Sequence, residues 1–322
     1  MTTLPWPQGT PDLTAAEGPP RLAAPSASLL RVPPRKPSPV GAHIFVAGGL
    51  AKVGLPYARE IGAEVVQVFV SNPRGWAATP GDPAQDAAFR DGCGESGMAV
   101  YVHAPYLVNF GSPTPATLEK SAASLRHALR RGRELGARGV VVHAGCEVVG
   151  NGYDNAMAQV REHLRPIADG LRDGDPDLLV ELTAGGRGSL CATPEAIPAY
   201  LDALGGHEKV GVCVDTCHAM AAGHDLARPG GLRSFLSAVA RHAGRGRLRL
   251  VHANDSKDPV GSGRDRHEVI GKGTIGLDTF RELFVHPAMK GVPILMETPG
   301  VAAEHRRDLR ALKRLRTEAL AR

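Results

Sequence analysis

The stretch VCVDTCHAMAAGHDL, residues 212–226, opens as a strand covered on both faces and then changes character. Val212, Cys213 and Val214 suit an interior strand, whereas Asp215 and His218 follow where the apolar run stops. A carboxylate and an imidazole three residues apart are costly to bury at a strand end unless something pairs with them. Similar endings recur along the chain, and that recurrence decides the architecture.

Working outward from this strand, short β-branched runs alternate with longer stretches of helical period from residue 40 onward. The strand-like runs are 40–46 (VGAHIFV), 65–70 (VVQVFV), 99–105 (AVYVHAP) and 139–145 (GVVVHAG). They continue with 177–183 (DLLVELT), 210–216 (VGVCVDT), 247–255 (RLRLVHAND) and 292–298 (VPILMET). Helical patterns fill the intervals. Residues 116–136 carry Leu118, Leu125 and Leu129 and close on Gly136 as a C-cap; 153–172 and 193–204 follow, the latter with Thr193 as N-cap and Pro194 in its first turn. Residues 302–321, with Leu309, Leu312 and Leu315 on one side and a solvated basic face on the other, read as a last outer helix. Eight buried strands alternating with helices predict an α/β protein, a (β/α)8 TIM barrel with its site at the C-terminal ends of the strands. An open doubly wound sheet is the alternative, but VAGGLAKVG (46–54) lacks the spacing of a dinucleotide-binding turn.

Residues 39–322 are thus expected to form one catalytic domain. Ten of the 26 prolines lie in residues 1–39, so residues 1–38 are expected to be a disordered extension with too little apolar surface to offset ordering. Composition excludes several classes. No apolar run approaches the roughly 18 residues of a membrane span, and the N-terminus lacks the layout of a secretory signal. A cytoplasmic monomer with no membrane partner is expected. Five cysteines in so long a chain do not make a disulfide framework, and Cys213 and Cys217 are expected to be inert thiols. The net charge of +5 resides at the ends: residues 305–322 hold seven Lys/Arg against two acids, and 1–38 hold four against two. Between them 27 basic residues face 29 acidic ones, so the basic pI does not by itself mark a nucleic-acid face.

The strand ends carry the chemistry. Strand three ends at His103, strand four at His143 and strand five at Glu181; strand six gives Asp215 and then His218. Strand seven gives His252, its loop adds Asp265 and His267, and strand eight gives Glu297. A lone histidine in a strand is more often a hydrogen-bonded core residue than a ligand, and Asp255 and Asp258 read as turn residues. Nine such groups on one rim are a different matter. Four carboxylates among five imidazoles would repel and be poorly solvated unless cations held them. Nitrogen and oxygen donors without sulfur suit Zn²⁺ or Mn²⁺. A catalytic zinc takes about three protein ligands, so nine donors with bridging carboxylates support three ions, an arrangement suited to phosphoryl chemistry.

YVHAPYLVNF (101–110), VCVDTCHAMAAGHDL (212–226), HANDSK (252–257) and GRDRHEVIGKGTIG (263–276) resemble the signatures of the endonuclease IV family, zinc-dependent apurinic/apyrimidinic DNA-repair nucleases. The resemblance covers about 40–300. It implies that His103, His143 and Glu181 hold one zinc; that Glu181 bridges to a second completed by Asp215, His252 and Glu297; and that His218, Asp265 and His267 hold a third, with Mn²⁺ an alternative at one position. It further implies incision of double-stranded DNA 5′ of an abasic site by a metal-bridged hydroxide, leaving a 3′-OH, with Glu181 as the catalytic carboxylate. Tyr106, Leu107 and Arg74 match side chains that fill the gap left by a flipped abasic sugar, and Asn72 and Asn109 match phosphate or scaffold contacts. The chain departs from the family at Pro73, Gly75, Ala144 and His224. A sugar isomerase or epimerase, or a phosphodiesterase acting on small substrates, is the alternative on the same barrel. An isomerase would need Glu181, Asp215, His252 and Glu297 but no third ion. A lesion-binding module without catalysis would need no open metal cluster.

Overall fold

The computed structural model describes Thr2 and residues 37–321. Eight parallel strands close into a barrel: β1 (Val40–His43), β2 (Val65–Phe69), β3 (Ala99–His103), β4 (Gly139–His143), β5 (Asp177–Glu181), β6 (Val210–Asp215), β7 (Leu248–His252) and β8 (Ile294–Met296). β8 pairs with β1 through Val40 and Ile294, which closes the ring and leaves no exposed sheet edge. The sequence-derived strands run two or three residues too far at several C-terminal ends. The ladder stops at the polar residue: His103, His143, Glu181, Asp215 and His252 are each the last residue of their strand, and Glu297 follows β8 directly.

The barrel holds two apolar layers. Its interior is filled by Val65, Ala99, Tyr101, Val141, Leu179, Cys213, Leu250 and Leu295, and a larger shell lies between strands and helices. This in–out alternation makes each strand apolar on both faces. Helices fill the crossovers as expected, with three corrections. The 153–172 pattern breaks at a wide turn, Val160–Leu164, before resuming at Arg165–Asp169; Pro166 has no N–H for a regular turn. Thr193 occupies the N-cap position before Pro194–Ala196, but its side chain makes no capping bond. Gly136 lies one residue beyond the cap Leu135 of Pro115–Glu134, at φ 66°, a conformation glycine adopts without strain.

The final helix, Ala302–Leu320, buries Leu309, Leu312 and Leu315 against the barrel. Its basic face is only partly solvated: Arg316 Nη2 donates to Glu64 Oε1 at 2.8 Å, Lys313 Nζ stands 3.2 Å from the same oxygen, and Arg306 pairs with Glu60 at 2.6 Å. The expectation for the Pro-rich head falls almost wholly outside the described residues. Its last member, Ser38, is buried, with its hydroxyl donating to Met289 O at 2.6 Å. Among the described residues no helix is long and apolar enough to cross a membrane.

Candidate metal centre

Parallel strands of matched register deliver their last residues to one rim. His143 stands opposite Glu181 across β4 and β5, and Asp215 opposite His252 across β6 and β7. A short antiparallel ladder, Asp255–Ser256 with His267–Glu268, folds the loop after β7 back over the rim and brings in Asp265 and His267. Asp255 fixes that loop by accepting from the backbone N–H groups of Gly271, Gly273 and Ile275 at 2.9–3.1 Å. Asp258 pairs with Arg266 through hydrogen bonds that include Arg266 Nε to Asp258 Oδ2 at 2.6 Å. Both carboxylates are therefore turn-fixing groups, as the sequence suggests.

All nine expected donors converge. His103, His143 and Glu181 place donor atoms within 4.8 Å of one another, as do Asp215, His252 and Glu297, and Asp215, His218 and His267. Asp265 stands 3.2 Å from His218 Nε2 and 3.0 Å from His267 Nε2. Asp215 thus adjoins both the second and third sets, beyond the placement expected from its strand alone. Glu181, fully buried, sits at the centre: Oε2 is 3.2 Å from His103 Nε2 and 3.4 Å from His143 Nε2, while Oε1 is 2.9 Å from His252 Nδ1.

The surrounding bonds orient each ring. His103 Nδ1 donates to Ala104 O at 2.6 Å, His218 Nδ1 to Leu182 O at 2.9 Å and His267 Nδ1 to Glu297 O at 3.1 Å. A carbonyl only accepts, so Nδ1 carries a proton, and Nε2 is the atom that faces the carboxylates with a lone pair in the neutral ring. Asp215 divides its oxygens: Oδ1 caps the helix Thr216–Ala221 by accepting from Cys217 N and His218 N, and Oδ2 faces the rim.

Lone pairs and carboxylates face to face at 3.0–3.5 Å repel unless protons or cations lie between them. His267 Nε2 illustrates the point, being buried without a hydrogen bond of acceptable angle although Asp265 and Asp215 oxygens lie 3.0 and 3.5 Å away. Off-line approach to shared carboxylates is the arrangement of ligands around a cation, and the donor set fits Zn²⁺ or Mn²⁺. Without a cation, protons are drawn into the same gaps. Burial opposes ionisation of Glu181, yet His252 and His143 hold it well below the usual carboxylate value. Burial disfavours charged His218 and His267, yet Asp215 and Asp265 hold the first well above its ordinary value and the second at about 9. Burial pushes His143 down to about 4. Cys213 and Cys217 also lie within reach of ligand groups, and burial raises both thiols to about 12.

The residues expected to meet DNA stand on the same rim. Tyr106 is half exposed, its ring 5.5 Å from His103 and 5.7 Å from His143, and Leu107 beside it is partly exposed. Arg74 is exposed on the loop after β2, where Asn72 Oδ1 accepts from its backbone N–H at 2.9 Å. Pro73 O accepts from Tyr106 N at 3.0 Å, so the two loops are joined. Asn109 Oδ1 accepts from Gly111 N and Cys146 N, which makes this side chain a brace between the loops after β3 and β4. At the departures, Ala144 O accepts from Tyr200 Oη at 2.9 Å and His224 packs on Phe235.

Three supporting residues escaped the sequence reading. Gln67, wholly buried on β2, donates from Nε2 to Glu297 Oε1 at 2.7 Å, and its Oε1 lies 3.0 Å from His252 Nε2. His43 at the end of β1 lies 3.3 Å from Glu297 Oε1. Asn254 donates to Asp215 Oδ2 at 2.6 Å and accepts from Glu297 N at 2.6 Å. A lone glutamine inside VVQVFV was the available signal, since an amide in an interior strand needs polar partners.

The model of the xylose isomerase-like TIM barrels matches residues 55–315. Proteins named probable endonuclease 4 from Streptomyces avermitilis and Methanoculleus marisnigri are 56% and 39% identical to the chain over 280 and 261 residues. The matches cover 87% and 81% of this chain and 90% and 92% of those proteins. The crystal structure of endonuclease IV from Thermus thermophilus superposes with a TM-score of 0.76 at 34% identity, covering 87% of this chain and 99% of that one. A D-tagatose 3-epimerase-like protein superposes at 0.65 with 18% identity, a likeness of fold alone.

Proposed function

This chain belongs to the endonuclease IV family, within the xylose isomerase-like TIM barrels, and we propose that its rim hydrolyses the phosphodiester 5′ of an abasic site in double-stranded DNA, leaving a 3′-OH. The observation that carries the reading is the convergence of nine imidazoles and carboxylates on one end of the barrel. His103, His143 and Glu181 would hold one ion, Asp215, His252 and Glu297 with Glu181 a second, and His218, Asp265 and His267 a third, zinc at all three or manganese at one. Bound divalent cations supply charge for a phosphodiester transition state and bring the pKa of a water towards neutrality.

The chain's own residues supply position. Glu181 faces imidazoles with both oxygens, so it is the carboxylate placed to orient an attacking water. Gln67 and Asn254 hold Glu297 and Asp215 in place from behind. Tyr106 and Leu107, with Arg74 across the joined loop, would enter the duplex where the abasic sugar leaves the stack, each aromatic or cationic group replacing lost stacking. Asn72 and Asn109 keep those loops in shape.

A sugar epimerase on this barrel would employ Glu181, Asp215, His252 and Glu297 and leave His103, His143, His218, Asp265 and His267 without a task. Elemental analysis of the purified chain combined with cleavage of an abasic-analogue duplex tests the proposal. Near three ions per chain and incision 5′ of the lesion are expected. A full complement of ions without incision removes the DNA assignment.

A further inference from the structure

At the opposite end of the barrel the N-terminal ends of the strands surround a cavity of about 790 Å³. Its lining includes Arg138, Arg245, Arg249 and Lys290 but a single carboxylate, Asp177. That carboxylate is already neutralised: Asp177 Oδ2 lies 2.8 Å from Arg249 Nη1, and Oδ1 lies 3.6 Å from Lys209 Nζ. Arg249 is fully engaged, since it also donates to Gly246 O at 3.2 Å and Glu208 O at 2.7 Å. Arg138, Arg245 and Lys290 have no acidic partner or side-chain hydrogen bond among the described residues. Three unpaired cations therefore ring an opening whose only acid is taken.

A second feature points into the same space. Tyr101 is 5% exposed, yet its hydroxyl has no hydrogen-bond partner among the described residues and opens onto the cavity. The ring is held inside the barrel while the hydroxyl tip stays accessible from the cavity, free to donate to a ligand. Two strand glycines make the space. A Cβ on Gly139 would stand 3.1 Å from Tyr101 Cε1 and 2.8 Å from Leu179 Cδ1, and one on Gly211 would stand 2.6 Å from Arg249 Cδ. The ring and the guanidinium can therefore lie across the floor only because those positions lack side chains. Apolar walls are supplied by Leu179, Leu248, Val292 and Pro293. A volume of this size, with walls part apolar and part cationic and a phenol opening onto it, can take a small anionic molecule.

We infer that this floor binds a phosphate monoester, its oxygens accepting from Tyr101 Oη and facing Arg138, Arg245 and Lys290, its organic part lying on the apolar walls. The floor lies a strand length below the rim, roughly 15 Å for five residues, so it is a separate site. The inference does not depend on the rim's chemistry.

The test is equilibrium titration of the full, metal-loaded chain with phenyl phosphate. The wild type is compared with the combined Arg138→Ala and Lys290→Ala variant and with Tyr101→Phe. Phosphate affinity of the rim is common to all three and drops out of the comparison. Two exposed cations can be removed without harm to the fold, and Tyr101→Phe keeps the ring. The floor site predicts about a tenfold or greater loss in the double variant and about a threefold loss in Tyr101→Phe. A parallel titration with a 5′-phosphorylated tetranucleotide identifies the source. Equal loss there assigns the phosphate to a nucleic-acid end, and loss confined to phenyl phosphate assigns it to a free small ester. Isotherms identical in wild type and both variants overturn the inference.

Discussion

The two mouths of this barrel are built from the same strands and carry opposite chemistry. The upper rim gathers four carboxylates and five imidazoles, whereas the floor gathers guanidinium and ammonium groups around one neutralised acid. Parallel strands make the contrast possible, because every strand sends its first residue to one mouth and its last to the other. Each mouth is short of the opposite charge, which is the ground for the two proposals, cations above and an anion below. The rim is also the more deeply buried, so errors there cost more.

The sharpest way to break the contrast is at its centre. Glu181→Gln keeps the volume and removes the charge between the two first sets of donors. Incision of an abasic duplex should fall by about 10³-fold or more, with duplex affinity in a gel-shift assay largely kept. Incision that survives the change would remove Glu181 from the mechanism. Stripping metal with a chelator comes next. The uncompensated carboxylates should lower the melting temperature, and added zinc should restore it by mass action. A melting temperature indifferent to chelator and zinc would leave the rim without cations.

Gln67→Ala leaves every expected ligand intact but frees Glu297 and His252. About 10- to 100-fold weaker metal retention is expected, read by competition with a chromophoric chelator, and Gln67→Glu should not rescue it because a second carboxylate faces Glu297. Arg74→Ala should weaken abasic-duplex binding by about 1–2 kcal/mol while elemental analysis shows an unchanged metal content. Metal loss in that variant would tie the loop to the rim's construction instead.

The smallest effect lies at the floor end of the barrel but outside the lining of the proposed site. Burial works against ionised Glu64, but hydrogen bonds from Arg316 and Val40 N hold its carboxyl at about 2, below its ordinary 4.5. A depressed folded-state value means the stabilisation is complete above about 4.5 and lost as the pH falls from there through about 2. The group is a third exposed, so the contribution is on the order of 1 kcal/mol after screening. Glu64→Gln should flatten that portion of an acid-unfolding profile, and an unchanged profile would show that the pair contributes nothing.

Much of the rim was legible because ligand residues interrupt apolar runs. An imidazole after VVV or a carboxylate after VCV stands out, and interruptions repeated in phase along the chain require one architecture. Gln67 and Asn254 were not legible as site residues, because amides pair with whatever lies behind them and only cross-strand register says what that is. Asp215 shows the same limit: its place at a strand end could be read, but its sharing between two donor sets depends on the loop that carries His267. Helix interruptions such as the wide turn at Val160–Leu164 were missed because apolar periodicity continues through them.

The sequence by itself determined the barrel, the rim on which chemistry is placed and the identity of the nine converging groups, since strand period and strand direction together fix where a last residue must go. Tertiary structure alone decided which ring nitrogen faces inward, which amides stand behind the carboxylates and that the floor is cationic with an unpartnered phenol. Those depend on contacts between residues tens to hundreds of positions apart, and no local pattern encodes the geometry of such pairs.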